Sequence, residues 1–206
     1  MGALSPPSAL DRLLALARTL ARVGVWVGGA LTLASVALIT FEVLARRFFG
    51  FTMGGADELS GYAFAISVTW ALAFTALERA NVRIDVLYQY LPVRLSAAFD
   101  WMALVALGVF AVYLSYYGGQ VALTSWDMQS AANTPLGTPL WIPQTLWFIG
   151  LAWFVVVLAL MLLRASTALV TGDMATLKAL AGVKSSVEEA EEGAAEGERL
   201  VRGESA

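Results

Sequence analysis

DELSGYAFAISVTWALAFTALERANVRIDVLYQYLP, residues 57–92, contains nineteen consecutive uncharged residues, Leu59–Leu77, between Glu58 and the Glu78–Arg79 pair. At about 1.5 Å of rise per residue such a helix nearly crosses a ~30 Å hydrocarbon core. The run does not simply stop. It passes into a segment of alternating charge (Arg79, Arg83, Asp85), then Tyr88, Tyr90 and Pro92. That order reads as a membrane span leading into a structured interfacial turn. Three further apolar runs accompany it: Val23–Phe41 between Arg22 and Glu42, Trp101–Trp126 between Asp100 and Asp127, and a last one from about Pro143 to Leu163 before Arg164. All four are long enough to span. With no water in the bilayer core every backbone polar group must be satisfied internally, so the segments are helices. The expected fold is an all-α integral membrane protein with four transmembrane helices, at about 23–43, 59–78, 97–121 and 143–163, and short amphipathic interfacial helices.

Composition agrees. Hydrophobic residues make up 59% of the chain and charged residues 14%, whereas soluble domains are about one-quarter charged. The first run exceeds the roughly 7–15 residues of a signal-peptide core and carries no convincing cleavage site, so it is expected to remain as a signal anchor. Cysteine and histidine are both absent. This excludes disulfides, thiolate metal sites, the commonest metal ligand and the one side chain that ordinarily titrates near neutrality. No cofactor, metal or nucleic-acid site is expected.

Of the 13 Lys and Arg residues, 11 fall before the first run, between runs two and three, or after run four. The opposite side holds only Arg46 and Arg47. By the positive-inside rule both termini are cytoplasmic, an N-in/C-in topology, with 42–58 and 124–142 outside. Three regions follow: a cytoplasmic amphipathic segment 1–22, a transmembrane domain 23–164, and a cytoplasmic tail 165–206. The tail is acidic and small from Ser185, lacks aromatics and reads as disordered.

Local chemistry leaves several pairs of readings open. Ser8, with Asp11 at the capping-box distance, starts either an interfacial helix or a plain continuation of the first span. Gly24, Gly28, Thr32 and Ser35 share one face of that span. They form either a close-packing seam or the ordinary glycine of membrane helices. Arg46 and Arg47 either snorkel to headgroups or pair with Glu42, Glu58 or a partner protein. Asp57 is placed to cap the second span and Glu58 to sit in its first turn, where a carboxylate favours the positive helix end. Arg79 complements the other end. Beyond Arg83, the residues Ile84, Leu87, Tyr88 and Leu91 line one face of a short interfacial helix, a structural corner or a docking corner. Pro92 suits the first position of the third helix. Residues 124–143 read as an ordered, non-helical loop, with Trp126, Trp141 and Trp147 as interfacial anchors.

Read in order, Arg46 or Arg47, Glu58-Leu59, Tyr62, Trp70, Arg79, Val82-Arg83-Ile84-Asp85, Leu91-Pro92 and Pro139-Leu140-Trp141-Ile142-Pro143 resemble the small membrane subunit of the tripartite ATP-independent periplasmic (TRAP) transporters. The resemblance covers roughly residues 20–165. The chain departs from the family pattern at Asn81, where a histidine is frequent, and at Gly54-Gly55-Ala56, where a tryptophan is usual. These departures leave subfamily and substrate open. The resemblance implies a bacterial inner-membrane, multi-pass subunit that is not an enzyme. It would work with a large permease subunit, a periplasmic solute-binding protein and membrane lipids. It implies ion-driven symport of an organic anion, often a C4-dicarboxylate, with this subunit as scaffold. The matched residues, together with Gly24 and Gly28, are then the partner-interface or structural candidates: Arg46, Arg47, Glu58, Trp70, Arg79, Arg83 and Asp85.

The residues point the same way by what the spans lack. No run carries a charge well inside it, although ion and proton pathways need ionisable groups facing the bundle interior. Only Gly118-Gly119 hints at a broken helix. Four such helices are a poor transporter and a reasonable accessory to a larger membrane protein. Two other classes compete: a self-associating structural membrane protein, recognised by a stable homo-oligomer, and a membrane enzyme, recognised by turnover of the purified chain.

Overall fold

The computed structural model describes residues 9–79 and 92–173 continuously, and within 176–202 the positions 176, 177, 180, 193–195, 197 and 202. Four helices form: α1 Ala9–Phe49, α2 Ala56–Leu77, α3 Val93–Asp127 and α4 Trp141–Thr171. All four are long and apolar enough to cross a membrane. Among the described residues the fold is all-α apart from one isolated bridge, Ala131 with Pro139.

Each helix outruns the apolar run that announced it; α2 does so only at its start, and it ends at Leu77, one residue short of the expected span 59–78. Its 22 residues give about 33 Å, one bilayer core, whereas the 41 residues of α1 give about 62 Å. The segment before the first span is therefore the continuation and not a separate interfacial helix. Nothing between Ala9 and Phe49 breaks it, because there is no proline and the hydroxyls of Thr32 and Ser35 bond carbonyls four residues back, both at 2.9 Å. The Ser8 cap lies outside the described residues. Asp11 instead forms a 2.7 Å ion pair with Arg164.

Other boundaries move as well. Gly55, not Asp57, is the N-cap of α2; Asp57 and Glu58 both lie in the first turn. Pro92 is the N-cap of α3, with Val93 the first helical residue. The non-helical part of the α3–α4 connection shrinks to 128–140, and Pro143 sits in the first turn of α4, where a missing N–H costs nothing. α4 continues past Arg164 to Thr171 and stops at Gly172. There φ is +74° and the Asp173 N–H reaches the Ala168 carbonyl at 2.9 Å, a Schellman-type end. Gly118-Gly119 does not interrupt α3. The two glycines make room for Trp147 and Phe148 of α4. The corner 80–91, with Arg83, Asp85 and the proposed short helix, lies outside the described residues, as does most of the acidic tail.

The helices stack in the order α1, α2, α4, α3, with α1 also touching α4. α4 is central, and its Leu151, Val157, Leu158 and Met161 are at most 2% exposed. Much of the remaining core is alanine: Ala17, Ala21, Ala73, Ala76, Ala111, Ala165 and Ala168. Small side chains allow the close backbone approach by which helices associate where apolar surface gains little by leaving lipid. The outward faces of α1 and α3 remain uncovered, with large exposed apolar side chains such as Leu33, Val36, Val109 and Phe110.

Candidate partner interface

Two carboxylates organise the end of the bundle that carries the α1–α2 and α3–α4 loops. Glu42, in the last part of α1, is 8% exposed. It accepts from the Thr52 hydroxyl at 2.5 Å and from the Met53 N–H at 2.9 Å, folding the α1–α2 loop back over its own helix. Glu58, in the first turn of α2, accepts from the Tyr62 hydroxyl at 2.9 Å and from the Thr134 hydroxyl. Thr138 approaches the same carboxylate with its hydroxyl and backbone N–H.

Glu58 thus holds the loop between α3 and α4 from its far side. That loop is a narrow hairpin. Ala132 N–H bonds the Thr138 carbonyl at 2.9 Å, Gly137 N–H the Thr134 carbonyl at 3.0 Å, and Leu140 N–H the Ser130 carbonyl at 2.9 Å. Its tip lies on the α1–α2 loop. Leu136 occupies the space a side chain at Gly55 would need, and Pro135 lies 3.3 Å from where a Cβ at Gly54 would stand. Gly54 also has φ +69°, a region that disfavours other residues. At the base, Trp126 and Trp141 meet edge to face with centroids 4.7 Å apart.

In the apolar interior Gly24 and Gly28, one of whose two open readings was a close-packing seam, lie against α2. A Cβ on Gly28 would lie 3.2 Å from the Ser67 backbone, and one on Gly24 would lie 3.4 Å from the Trp70 carbonyl. The Ser67 hydroxyl donates to the Gly28 carbonyl at 2.9 Å across the α1–α2 contact. Trp70 joins three helices. It covers Gly24 of α1, its Nε1 donates to the Leu146 carbonyl of α4 at 3.2 Å, and its ring edge abuts Gly150 of α4. Trp70, Gly24 and Gly28 therefore form one intramolecular junction.

The remaining candidates separate. Arg46 and Arg47 are exposed, and neither forms an ion pair with Glu42 or Glu58 among the described residues. Both Glu42 oxygens are taken by Thr52 and Met53. Arg79 lies two residues beyond α2 in a left-handed conformation, φ 56°, with its N–H bonded to the Ala76 carbonyl at 3.1 Å. At the opposite end Arg18 meets Glu78 at 3.4 Å, both partly exposed, and Trp101 Nε1 donates to Ser166 at 3.0 Å.

Sequence reasoning missed the role of Glu42 and the contact of Glu58 with Thr134. No periodicity links positions 76 residues apart. The Asp11–Arg164 pair was equally hidden, at a separation of 153. The one available signal was a carboxylate near each helix end that flanks the α1–α2 loop, with Thr52, Thr134 and Thr138 in the loops at that end of the bundle.

Comparison with curated proteins and with solved structures yields no match. The family described as tripartite ATP-independent periplasmic transporters, DctQ component, matches residues 35–168. This stretch runs from within α1 to the last turn of α4 and includes both pinning carboxylates and Trp70, while Gly24 and Gly28 lie before it. Four helices long and apolar enough to cross a membrane fit that match, and the chain belongs to the DctQ, or small permease, component family of the TRAP transporters, a family of transporter components and not of enzymes.

Proposed function

We propose that this chain scaffolds the large permease subunit of a TRAP transporter in the bacterial inner membrane, N-in/C-in. The permease would carry out ion-gradient-driven uptake of an organic anion, a C4-dicarboxylate or another carboxylate, delivered by a periplasmic binding protein. One observation carries the reading. Every ionisable side chain of the Asp, Glu, Lys and Arg types in the described helices lies toward a helix end, and the interior junction is built of Gly, Ser, Thr and Trp. Such an interior offers no ion or anion site at the bilayer centre. The substrate and ion sites then belong to the partner. Glu58, Trp70, Gly24 and Gly28 shape the scaffold itself. Arg46, Arg47, Arg79, Arg83 and Asp85 are assigned to assembly or to headgroup contact.

Reconstitution tests this. The chain alone in vesicles is expected to give no substrate-dependent flux, and uptake is expected to require the large subunit and the binding protein together. Flux from the isolated chain would sink the scaffold reading. A stable homo-oligomer that ignores the large subunit would favour the self-associating alternative instead.

Orientation has its own test. Because the chain has no cysteine, single Thr52→Cys, Ser130→Cys and Ser185→Cys variants can be probed in intact cells with a membrane-impermeant thiol reagent. The first two should label and the third should not. Labelling at position 185 alone would invert the topology.

A further inference from the structure

The two uncovered faces of the bundle differ in one chemical respect. On α3, Tyr113, Tyr116, Tyr117 and Gln120 stand at i, i+3, i+4 and i+7, one stripe, and all four are exposed. The Tyr113 hydroxyl donates to that of Tyr117 at 3.3 Å. Among the described residues the proton of the Tyr117 hydroxyl, the Tyr116 hydroxyl and the Gln120 amide have no hydrogen-bond partner.

The depth of this stripe follows from neighbouring contacts. Trp101 bonds Ser166 at the inner end and Trp126 packs on Trp141 at the outer end. These two levels are about 37 Å apart along α3, which places Tyr113 about 18 Å from the inner one and Tyr117 about 13 Å from the outer one. A tyrosine side chain cannot reach an interface from there. Nor can its hydroxyl fold back onto its own helix as serine and threonine do. Lipid tails offer nothing to bond, so hydroxyls and an amide facing them would remain unsatisfied.

The outward face of α1 has no such need. Its exposed Thr19 and Thr40 bond the Ala15 and Val36 carbonyls at 3.2 and 2.7 Å. Its exposed Trp26 lies one turn from Arg22, near the inner boundary, where indoles favour the headgroup region. Lipid satisfies that face.

We propose that the outward face of α3 docks a transmembrane helix of the large permease subunit, one that presents hydrogen-bonding side chains or carbonyls opposite Tyr113, Tyr116, Tyr117 and Gln120, while the outward face of α1 faces lipid. The proposal rests on the reading of the chain as a small permease subunit, and it adds which surface is used. The shape suits it. A groove of about 520 Å³ runs beside the stripe between α3 and α4, bounded by Val109, Tyr113, Tyr116, Val155 and Leu162. Side chains of a facing helix can enter it, while the tyrosine rings supply apolar contact around the hydroxyls.

The test uses the chain co-expressed with its large subunit and purified in mild detergent. A photo-reactive amino acid at position 116 should give an adduct with the large subunit, and the same group at position 33 on α1 should not. The variant Tyr113→Phe, Tyr116→Phe, Tyr117→Phe, Gln120→Leu keeps the apolar surface and removes the polar groups. It should lower recovery of the large subunit about tenfold. The thermal stability of the isolated chain should not fall, because these groups bond nothing else within it. Adducts from position 33 and not 116, adducts from 116 to a second copy alone, or undiminished recovery with the fourfold variant would overturn the docking face while leaving the subunit assignment standing. Failure of the wild-type chain to retain the large subunit at all would remove both.

Discussion

Gly150→Leu is expected to lower the thermal unfolding midpoint of the purified chain by about 6–12 °C. Gly150 is where the α1–α2 pair meets α4. A Cβ there would stand 2.6 Å from the Thr69 hydroxyl oxygen, 2.8 Å from Trp70 Cδ1 and 3.0 Å from Thr69 Cβ. None of these atoms can withdraw. Thr69 is 3% exposed and bonded to its own helix, and Trp70 is held by its bond to Leu146 and its contact with Gly24. The helices must separate, and overpacking of this kind costs about 3 kcal/mol. A chain of this size loses about 2–4 °C per kcal/mol. Gly29, one face away on α1, has nothing within 4 Å of a Cβ. Gly29→Leu should therefore shift the midpoint by no more than a degree or two. Equal shifts for the two substitutions would show that α2 and α4 do not meet as described. In the assembled transporter Gly150→Leu should also reduce recovery of the large subunit, because a scaffold whose hairpins have parted no longer presents a fixed surface.

That junction shows what a sequence can and cannot disclose. The four spans were readable because apolar length is a local property, and the lipid requirement for satisfied backbones leaves only helices. The Gly24–Gly28 seam was readable as a face because helical spacing is local too. Which helix fills the seam was not, since Ser67 and Trp70 reach it only through the fold. Helix ends were misplaced where the apolar run stopped before the helix did. Arg22 and Arg164 end hydrophobicity but not helicity, so α1 begins thirteen residues earlier and α4 ends seven later than those charges suggest. The tyrosine stripe on α3 was open to inspection and passed over, because uncharged tyrosine and glutamine leave an apolar run looking unbroken. Its meaning depends on depth and exposure, which the contacts of Trp101 and Trp126 supply. Glu58 is the intermediate case. Its place at the start of a helix was legible and offered helix-dipole stabilisation as a sufficient reason for the residue. The structure adds a larger one, the loop it holds from across the bundle.

Glu58→Ala is accordingly expected to free the α3–α4 hairpin without unfolding the bundle. The carboxylate accepts from Tyr62 and Thr134 and is approached by Thr138. Hydrogen bonds to a charged acceptor contribute about 1.5–3 kcal/mol each where both partners are ordered. Released threonines at this exposed end can turn to water, so the net local loss is about 2–3 kcal/mol. That corresponds to roughly 30- to 150-fold faster opening of the hairpin. Hydrogen exchange at the Ala132 and Gly137 amides, both bonded only within this hairpin, should accelerate by that factor, while amides in the middle of α4 should not change. Glu58→Gln keeps one carbonyl acceptor and should fall between. In the whole transporter the same reasoning places the effect of Glu58→Ala on maximal uptake or on recovery of the complex, with the half-saturating substrate concentration little altered. Glu58 is engaged by its own chain and offers no oxygen free of those contacts to a passing substrate. A tenfold shift in half-saturation, about 1.4 kcal/mol, combined with unchanged exchange at Ala132 and Gly137, would reverse this assignment. Glu58 would then act on the substrate side, and the threonines around it would have to be rearranged in the working complex.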